Sequence, residues 1–294
     1  MNDSSAAITK PELFVGIAGK RYRVERPWGV FPAGVKIGAF CDVACDSKSN
    51  VYVFQRFDPL VDDLSPPCVL VFDTTGKYLH GFGGGGIVKD PHHLYVDAQD
   101  RVFLVDRDAH QIRVFDAAGK LLFDIGERDR PGEPFNHPCS VAVAPSGDIY
   151  VADGYGGTVV HRFSATGAHI RTWGEPGNGP GQFTTPHGIW VLPDGRVLVG
   201  DRENDRIQVF DPAGTWLCDW PGTHKPMSIY ADARGVVFAT DHIPRMVAYS
   251  SAGANLGGCR PVLNGAHGVT GDAQDNLYLS EMNPNRVTRL TPVE

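Results

Sequence analysis

Residues 186–203 read PHGIWVLPDGRVLVGDRE, and this stretch decides the fold because the chain repeats it with variations. Related stretches are PHHLYVDAQDRVFLVDRD from Pro91, PCSVAVAPSGDIYVADGY from Pro138 and AHGVTGDAQDNLYLSEMN from Ala266. Each holds two short runs of β-forming residues separated by a turn such as PDGR or PSGD. A period of roughly 40–50 residues with several short strands per period is typical of a β-propeller.

Six such units follow one another from about residue 38 to the end of the chain. We therefore predict an all-β fold, a six-bladed β-propeller. The sixth unit ends at RVTRLTPVE, one strand short, while KRYRVERPW near the N-terminus has strand character and no other partner. We predict that this N-terminal strand, around Tyr22–Val24, closes the ring and leaves no free sheet edge. Residues 1–20 are expected to be a loose tail, and residues 21–294 a single six-bladed propeller domain.

Composition and charge narrow the class of partner. The net charge of −7 disfavours nucleic acid and anionic membranes. No apolar run approaches the ~20 residues that span a bilayer, and MNDSSAAITKPELF lacks the features of a secretory signal. Six cysteines without a CxxC pair indicate buried free thiols. We expect a cytoplasmic protein that acts on a small molecule, and the pattern indicates no particular oligomeric state.

One position recurs at the start of every unit. Its occupants are, in order, Cys41, His92, Cys139, His187, Met227 and His267. In a closed ring the three histidines lie in alternate blades and point at one axis. Three neutral imidazoles with an open fourth position form a catalytic zinc site, which acidifies a bound water or hydroxyl and polarises a carbonyl. The pattern predicts one catalytic zinc ion, although three imidazoles also suit iron, cobalt or copper. The alternative is that Pro-His is repeat consensus at a strand start.

A second position recurs just after the second strand of each unit. Its occupants are Gln55-Arg56, Asp106-Arg107, Asp153-Gly154-Tyr155, Asp201-Arg202, Asp241-His242 and Glu281-Met282. The acidic residue is expected to accept backbone hydrogen bonds, so the variable residue after it is the candidate for function. The planar guanidinium groups of the three arginines can donate hydrogen bonds to a carboxylate or to an amide oxygen. We assign Arg107, Arg202 and His242 to substrate binding.

Tyr155 and Arg56 are the candidate catalytic residues at this second position. A nearby dication lowers the pKa of a phenol, so Tyr155 could act as a general base. Arg56 could hold a developing oxyanion. The alternative for the arginines is ordinary surface pairing, Arg56 with Asp58 and Arg107 with Asp108.

Two longer stretches resemble a known family. They are FNHPCSVAVAPSGDIYVADGY at 135–155 and HIRTWGEPGNGPGQFTTPHGIWVLPDGRVLVGDRENDRIQVF at 169–210. Both closely resemble the peptidyl-α-hydroxyglycine α-amidating lyases, six-bladed NHL-type propellers with a zinc held by three blade histidines. The resemblance implies that His92, His187 and His267 hold the zinc. It also implies that the DGY tyrosine is Tyr155, that the DREN arginine is Arg202, and that Arg56 matches the arginine of the first blade.

The chain departs from this family around its last histidine. The family has Met-Pro-His-Asp, in which the Met lines the substrate pocket and the Asp binds calcium, whereas this chain has Gly265-Ala266-His267-Gly268. We therefore expect no tightly bound calcium and a wider pocket beside Gly265. The family's disulfide cysteines are replaced by Asn136 and Gly156, which favours a cytoplasmic enzyme.

These features lead to three functional hypotheses. The first is a zinc-dependent lyase that cleaves a small carbinolamide, R-CO-NH-CH(OH)-R′, into an amide and an aldehyde. The second is a metal-dependent hydrolase of an amide or lactone that uses the same three histidines. The third is a non-catalytic NHL-type interaction scaffold, which needs no histidines on the axis.

Overall fold

A computed structural model describes residues 12–293 of the chain. The described residues form β-strands and one 3-10 helix, Arg202–Asn204, and no α-helix. None of them forms a helix that could cross a bilayer.

The strands are grouped into six blades in chain order. Two N-terminal strands come first: β1 (Leu13–Ile17) and β2 (Lys20–Trp28). Blade 1 contains β3 (Ala39–Cys45), β4 (Val51–Arg56), β5 (Val69–Phe72) and β6 (Tyr78–Phe82). Blade 2 contains β7 (Pro91–Val96), β8 (Val102–Asp106), β9 (Gln111–Phe115) and β10 (Leu121–Ile125). Blade 3 contains β11 (Pro138–Val143), β12 (Ile149–Asp153), β13 (Val159–Phe163) and β14 (His169–Trp173).

The remaining strands complete the ring. A short parallel pair, β15 (Glu175–Pro176) and β16 (Gln182–Phe183), connects blades 3 and 4. Blade 4 contains β17 (Pro186–Val191), β18 (Val197–Asp201), β19 (Arg206–Phe210) and β20 (Trp216–Pro221). Blade 5 contains β21 (Pro226–Ala231), β22 (Val236–Asp241), β23 (Met246–Ser250) and β24 (Asn255–Cys259). Blade 6 contains β25 (Gly268–Gly271), β26 (Leu277–Met282) and β27 (Asn285–Val293).

The N-terminal strands close the ring by joining blade 6, whose strand order is β1-β2-β27-β26-β25. In this pairing Tyr22 lies opposite Pro292 and Val24 opposite Leu290. The predicted six-bladed propeller and its closing strand are therefore confirmed. The predicted tail boundary at residue 20 is wrong for β1, because β1 pairs with β2 and Ile17 is buried in the hydrophobic cluster between blades 5 and 6. The rest of the predicted tail, residues 1–11, lies outside the described residues.

Apolar side chains on both faces of each blade explain why the blades stack in a ring. Among the described residues, one hydrophobic cluster fills each of the six junctions between neighbouring blades. The second strands contribute to all six clusters, and β8 and β12 are buried along their whole length. Burial on both faces is what their uninterrupted apolar sequence predicts.

The cysteines are free thiols, as predicted, but not all of them are buried. Cys41, Cys68 and Cys139 lie in the interior, whereas Cys218 is exposed. The prediction of buried thiols is wrong for Cys218 because β20 is an outermost strand with one face in solvent.

Candidate metal centre

The three histidines of the first recurrent position meet at the axis of the ring. His92 and His187 are the second residues of inner strands β7 and β17, and His267 directly precedes β25. Their ring centroids are 4.9, 5.1 and 5.3 Å apart, and their candidate ligand atoms lie within 4.8 Å of one another. All three are buried, so the inner strands hold a compact cluster of three imidazoles.

The other three blades fix the orientation of these imidazoles. Each Nδ1 lies beside the backbone carbonyl of the residue that occupies the same recurrent position in the next blade. The distances are 2.6 Å from His92 to Cys139, 2.7 Å from His187 to Met227 and 2.7 Å from His267 to Cys41. A carbonyl oxygen only accepts, so each Nδ1 carries the proton and each Nε2 keeps its lone pair. This arrangement presents three Nε2 lone pairs to a metal ion.

Burial also keeps the imidazoles neutral. Desolvation, with the neighbouring His267, lowers the pKa of His92 well below its usual value, and the same two effects act on His187. Burial lowers the pKa of His267 to about 4, and Arg56 acts in the same direction. Neutral imidazoles are the form that binds a metal. The three histidines therefore fit a metal ion with an open fourth position.

Tyr155 lies beside this cluster on the rim of the ring. Its hydroxyl is 3.2 Å from His92 Nε2 and 3.1 Å from His187 Nε2. Arg202 donates from Nη1 to the same hydroxyl at 3.2 Å, and its Nε pairs with Glu203. Burial raises the pKa of Tyr155, and the positive charges of Arg202 and Arg107 act against that shift. The residue as a whole is still 39% exposed.

Two guanidinium groups lie next to the tyrosine and carry further positive charge. The guanidinium carbons of Arg107 and Arg202 are each 5.2 Å from the centroid of the Tyr155 ring, which is within cation–π range. The structure thus gathers Tyr155, Arg107 and Arg202 at one side of the histidine cluster, as the second recurrent position predicts.

Asp90 belongs to the same site, and the sequence reasoning missed it. Its carboxylate is 2.9 Å from Arg56 Nε and 2.7 Å from Arg107 Nε. Arg56 pairs with Asp90 and not with Asp58, whereas Arg107 also makes the expected contact with Asp108, at 3.0 Å. Asp90 directly precedes the repeated motif, at a position that varies among the units. A residue that varies at a fixed place before the repeated motif was the signal in the sequence that could have identified Asp90.

The acidic residues of the second recurrent position hold the turns at the rim, as predicted. Asp153, Asp201 and Asp241 each accept a backbone N–H from the segment that precedes an inner strand. Asp106 accepts two such bonds, from Lys89 and Asp90. These bonds anchor the rim on which the variable residues stand.

A cavity of about 180 Å³ opens beside His267, between blades 5 and 6. It is lined by Met227, Met282 and His242, with Gly265 at its edge. A Cβ atom on Gly265 would lie 2.7 Å from the His242 carbonyl oxygen, so the close approach of the two loops requires glycine. His242 thus lies in a cavity next to the histidine cluster, two blades along the ring from Tyr155.

The residues around Gly268 do not fit a calcium ion. A Cβ atom on Gly268 would collide with Oδ1 of Asp42, which fills this space from blade 1. The Asp42 carboxylate accepts the N–H groups of Val43 at 2.9 Å and Leu94 at 2.8 Å. It also lies 3.3 Å from His93 Nε2. His93 Nδ1 accepts the Val141 N–H at 3.4 Å, so Nε2 carries the proton and faces the carboxylate.

Fold and site together define a class: a six-bladed NHL-type β-propeller with three histidines on its axis. The NHL repeat family matches residues 183–210, which contain His187 and Arg202. The comparisons confirm the resemblance noted in the sequence, because the chain has homologues named as amidating lyases and as NHL repeat proteins.

Three relatives illustrate this similarity. Peptidylglycine alpha-amidating monooxygenase of Rattus norvegicus is 32% identical over 200 residues, 59% of this chain and 20% of that protein. NHL repeat-containing protein 3 of Homo sapiens is 32% identical over 215 residues, 68% of this chain and 59% of that protein. A probable peptidyl-alpha-hydroxyglycine alpha-amidating lyase of Caenorhabditis elegans is 29% identical over 205 residues, 62% of this chain and 58% of that protein. The chain thus matches about a fifth of the length of the amidating monooxygenases.

Solved structures share the fold at low sequence identity. A streptogramin B lyase structure has a TM-score of 0.69 at 11% identity and covers 92% of this chain and 98% of its own. A gluconolactonase from Xanthomonas campestris has a TM-score of 0.68 at 16% identity and covers 97% of this chain and 96% of its own. These likenesses show that the chain shares the propeller fold of those structures.

Proposed function

We propose that the protein is a zinc-dependent lyase that cleaves a carbinolamide of a small molecule into an amide and an aldehyde. The observation that carries the proposal is the position of the Tyr155 hydroxyl, 3.1–3.2 Å from two of the three Nε2 atoms. A group that can accept a proton therefore lies next to the three histidines that could hold a metal ion. The homology to amidating lyases supports the same reaction class.

The reaction needs the substrate hydroxyl deprotonated, the developing oxyanion held and the nitrogen protonated, and the residues present can supply the first two. The substrate hydroxyl loses its proton, its C–O bond becomes a carbonyl, the C–N bond breaks, and the nitrogen gains a proton. Tyr155 accepts the hydroxyl proton, and Arg56 binds the developing oxyanion. A zinc ion in the centre would act as a Lewis acid on the same oxygen. Arg107, Arg202 and His242 orient the substrate on the rim.

The lyase is tested with N-(hydroxymethyl)benzamide, the zinc-loaded protein and a metal-stripped control. We expect benzamide and formaldehyde to form in equal amounts above the uncatalysed rate, and the rate to return to background in the control. The reaction is run in ¹⁸O-water, because hydrolysis of the amide would place solvent oxygen in the product acid and can then be detected. Benzoate that carries solvent oxygen would instead establish the hydrolase, which uses the same histidines.

A panel of carbinolamides with other acyl and aldehyde substituents extends the test. Zinc-loaded protein that cleaves none of them, by either route, would contradict the lyase and favour the non-catalytic scaffold.

A further inference from the structure

We propose that the face of the ring opposite the Tyr155 rim holds a second ligand site, which takes a planar, uncharged aromatic molecule. The site is a cavity of about 550 Å³ at the far ends of the inner strands of blades 2 to 5. Small-molecule pockets have volumes of roughly 300–1,000 Å³, so this cavity is large enough for such a ligand. The inference goes beyond the proposed function, because none of the described residues that line the cavity belongs to the histidine cluster or to the rim.

Aromatic side chains at a third recurrent position border the cavity. This position lies three residues after the histidine position, which is about 10 Å further along each inner strand. Its occupants are, in order, Ala44, Tyr95, Ala142, Trp190, Tyr230 and Thr270. The three aromatic rings pack edge to face, with centroids 5.6 Å apart for Tyr95 and Trp190 and 5.3 Å apart for Trp190 and Tyr230. Small residues in the other three blades leave room for this row of rings.

The row of rings separates this cavity from the interior of the ring. Tyr95 and Trp190 line the 550 Å³ cavity on one side and, on the other, an inner cavity of about 90 Å³ beside Asp42 and His93. The Tyr95 hydroxyl donates to the Val143 carbonyl of blade 3 at 3.3 Å, which fixes the orientation of the ring. Both residues are only partly buried. They therefore offer ring surface to an aromatic ligand, which packs offset or edge to face against them and gains more than its buried area alone provides.

The turns at this face leave the cavity open to solvent on one side of the axis. The turns between first and second strands of blades 6, 1 and 2 are joined by hydrogen bonds. Ser47 donates from its N–H and its hydroxyl to Asp100, both at 2.8 Å, and the Ala273 N–H donates to Ser49 Oγ at 3.4 Å. The cavity lies among the corresponding turns of blades 2 to 5, where exposed residues surround its entrance: Ala98, Pro145, Pro193 and Ala233.

The lining of the cavity favours an uncharged ligand. Its carboxylates, Asp97 and Asp232, are already paired, because Asp97 lies 2.7 Å from Arg101 Nε and Asp232 lies 2.9 Å from Arg234 Nε. The other described residues of the lining are neutral, and most are valine, alanine, proline or aromatic. A charged ligand loses its hydration in such a cavity without gaining an opposite charge, which costs free energy. An aromatic molecule without charge avoids that cost.

The test measures calorimetric binding of two probes to the zinc-loaded protein: indole, which is planar and aromatic, and cyclohexanol, which has no aromatic ring. We expect the parent to bind indole with a dissociation constant below about 1 mM and cyclohexanol more weakly. Trp190→Ala should weaken indole binding about tenfold, because it removes the largest ring that borders the cavity. Trp190→Phe should keep most of the affinity. Trp216→Ala is the matched control, since Trp216 is exposed on the outermost strand β20, and should bind indole like the parent.

Two further variants locate the bound indole. Ala233→Trp fills the cavity from an exposed turn and should weaken indole binding without a change in melting temperature, so it decides the test if Trp190→Ala does not fold. His187→Ala should bind indole like the parent, because the histidine lies about 10 Å away along the inner strand.

A parent protein that does not bind indole at millimolar concentration would overturn the proposal, and so would equal binding of cyclohexanol. Unchanged indole affinity in Ala233→Trp, or indole binding that is lost in His187→Ala, would show that the ligand does not lie in this cavity. Indole binding as expected in a protein that cleaves no carbinolamide would refute the lyase and leave the aromatic site standing.

Discussion

At the scale of single residues, Tyr155 is the side chain on which the proposed chemistry depends most. Its hydroxyl contacts His92, His187 and Arg202, and no other phenol in the described residues lies against the histidine cluster. Burial raises its pKa, so the phenol depends on nearby positive charge to lose its proton.

We expect Tyr155→Phe to lower kcat by about 10²–10⁴, the usual contribution of a positioned proton-transfer group. The fold and the zinc content should stay unchanged, because the phenol is not needed for the Nδ1–carbonyl bonds that orient the histidines. Steady-state kinetics with metal analysis of the same sample checks this. A near-normal kcat would remove Tyr155 from the reaction.

Gly268 owes its identity to Asp42, the carboxylate that fills the space where a side chain would project. We expect Gly268→Ala to lower the free energy of unfolding by about 1–3 kcal/mol, the cost of an overpacked interior. In an Asp42→Ser background the loss should shrink, because serine is shorter. Denaturant unfolding of the four proteins of this cycle gives the coupling.

Gly16→Ala is the control for the Gly268 cycle. A Cβ there meets only Lys20 O, at 3.8 Å, so little change is expected. Equal losses for Gly268→Ala with and without Asp42 would show that the two residues are not coupled.

At the scale of elements, the inner strands are joined by side-chain to backbone hydrogen bonds at every junction. The histidines of blades 2, 4 and 6 bond to carbonyls of the blades that follow them. One residue further along, Asp42, Ser140 and Ser228 of blades 1, 3 and 5 accept N–H groups of the next blades. The histidine hydrogen bonds therefore join three of the blade junctions, and the bonds to Asp42, Ser140 and Ser228 join the three junctions between them.

We expect the metal site to lose its ion when any one of the three inner-strand histidines is replaced. His187→Ala leaves two imidazoles, so metal binding and activity should fall together. His169→Ala is the matched control, since His169 lies on the outermost strand β14 and is exposed. Metal content measured after dialysis checks this. Full zinc occupancy in His187→Ala would contradict the assignment of the metal ligands.

The element-scale predictions from sequence were accurate for the inner and second strands and weaker at the periphery. Period-2 apolar runs with PDGR-type turns identify hairpins directly. Strand β1 was assigned to the tail because LFVGI is a short run beside an unpatterned segment. Only its pairing with β2 and the burial of Ile17 between blades 5 and 6 make it a strand of the propeller.

At the scale of the whole molecule, the axis of the ring carries one cluster suited to a transition metal and a separate cavity of about 90 Å³ lined by inner-strand residues, among them Asp42 and His93. The Asp42 carboxylate faces three N–H donors, from Val43, Leu94 and His93, and Gly268 offers no ligand. Ca²⁺ needs six to eight oxygen ligands. The expectation that calcium is absent remains a prediction.

We expect EGTA to leave both activity and the melting temperature intact, because the Asp42 carboxylate on the axis already accepts the N–H groups of Val43 and Leu94. A zinc chelator should abolish activity. Thermal melts and turnover with each chelator, followed by add-back of single metals, make the comparison. Activity lost in EGTA and restored by Ca²⁺ alone would contradict this prediction.

The sequence by itself determined the six-unit ring, its closing strand and the three axial histidines, because each is written as a repeated pattern of fixed period. It also placed Tyr155 and the three arginines on one rim, since equivalent positions of a repeat occupy equivalent places. The tertiary structure alone decided how these residues contact one another across blades. The contacts of Arg56 with Asp90 and of Asp42 with Gly268 join residues 34 and 226 positions apart (90−56 and 268−42), and contacts between different repeats leave no periodic signal in the sequence.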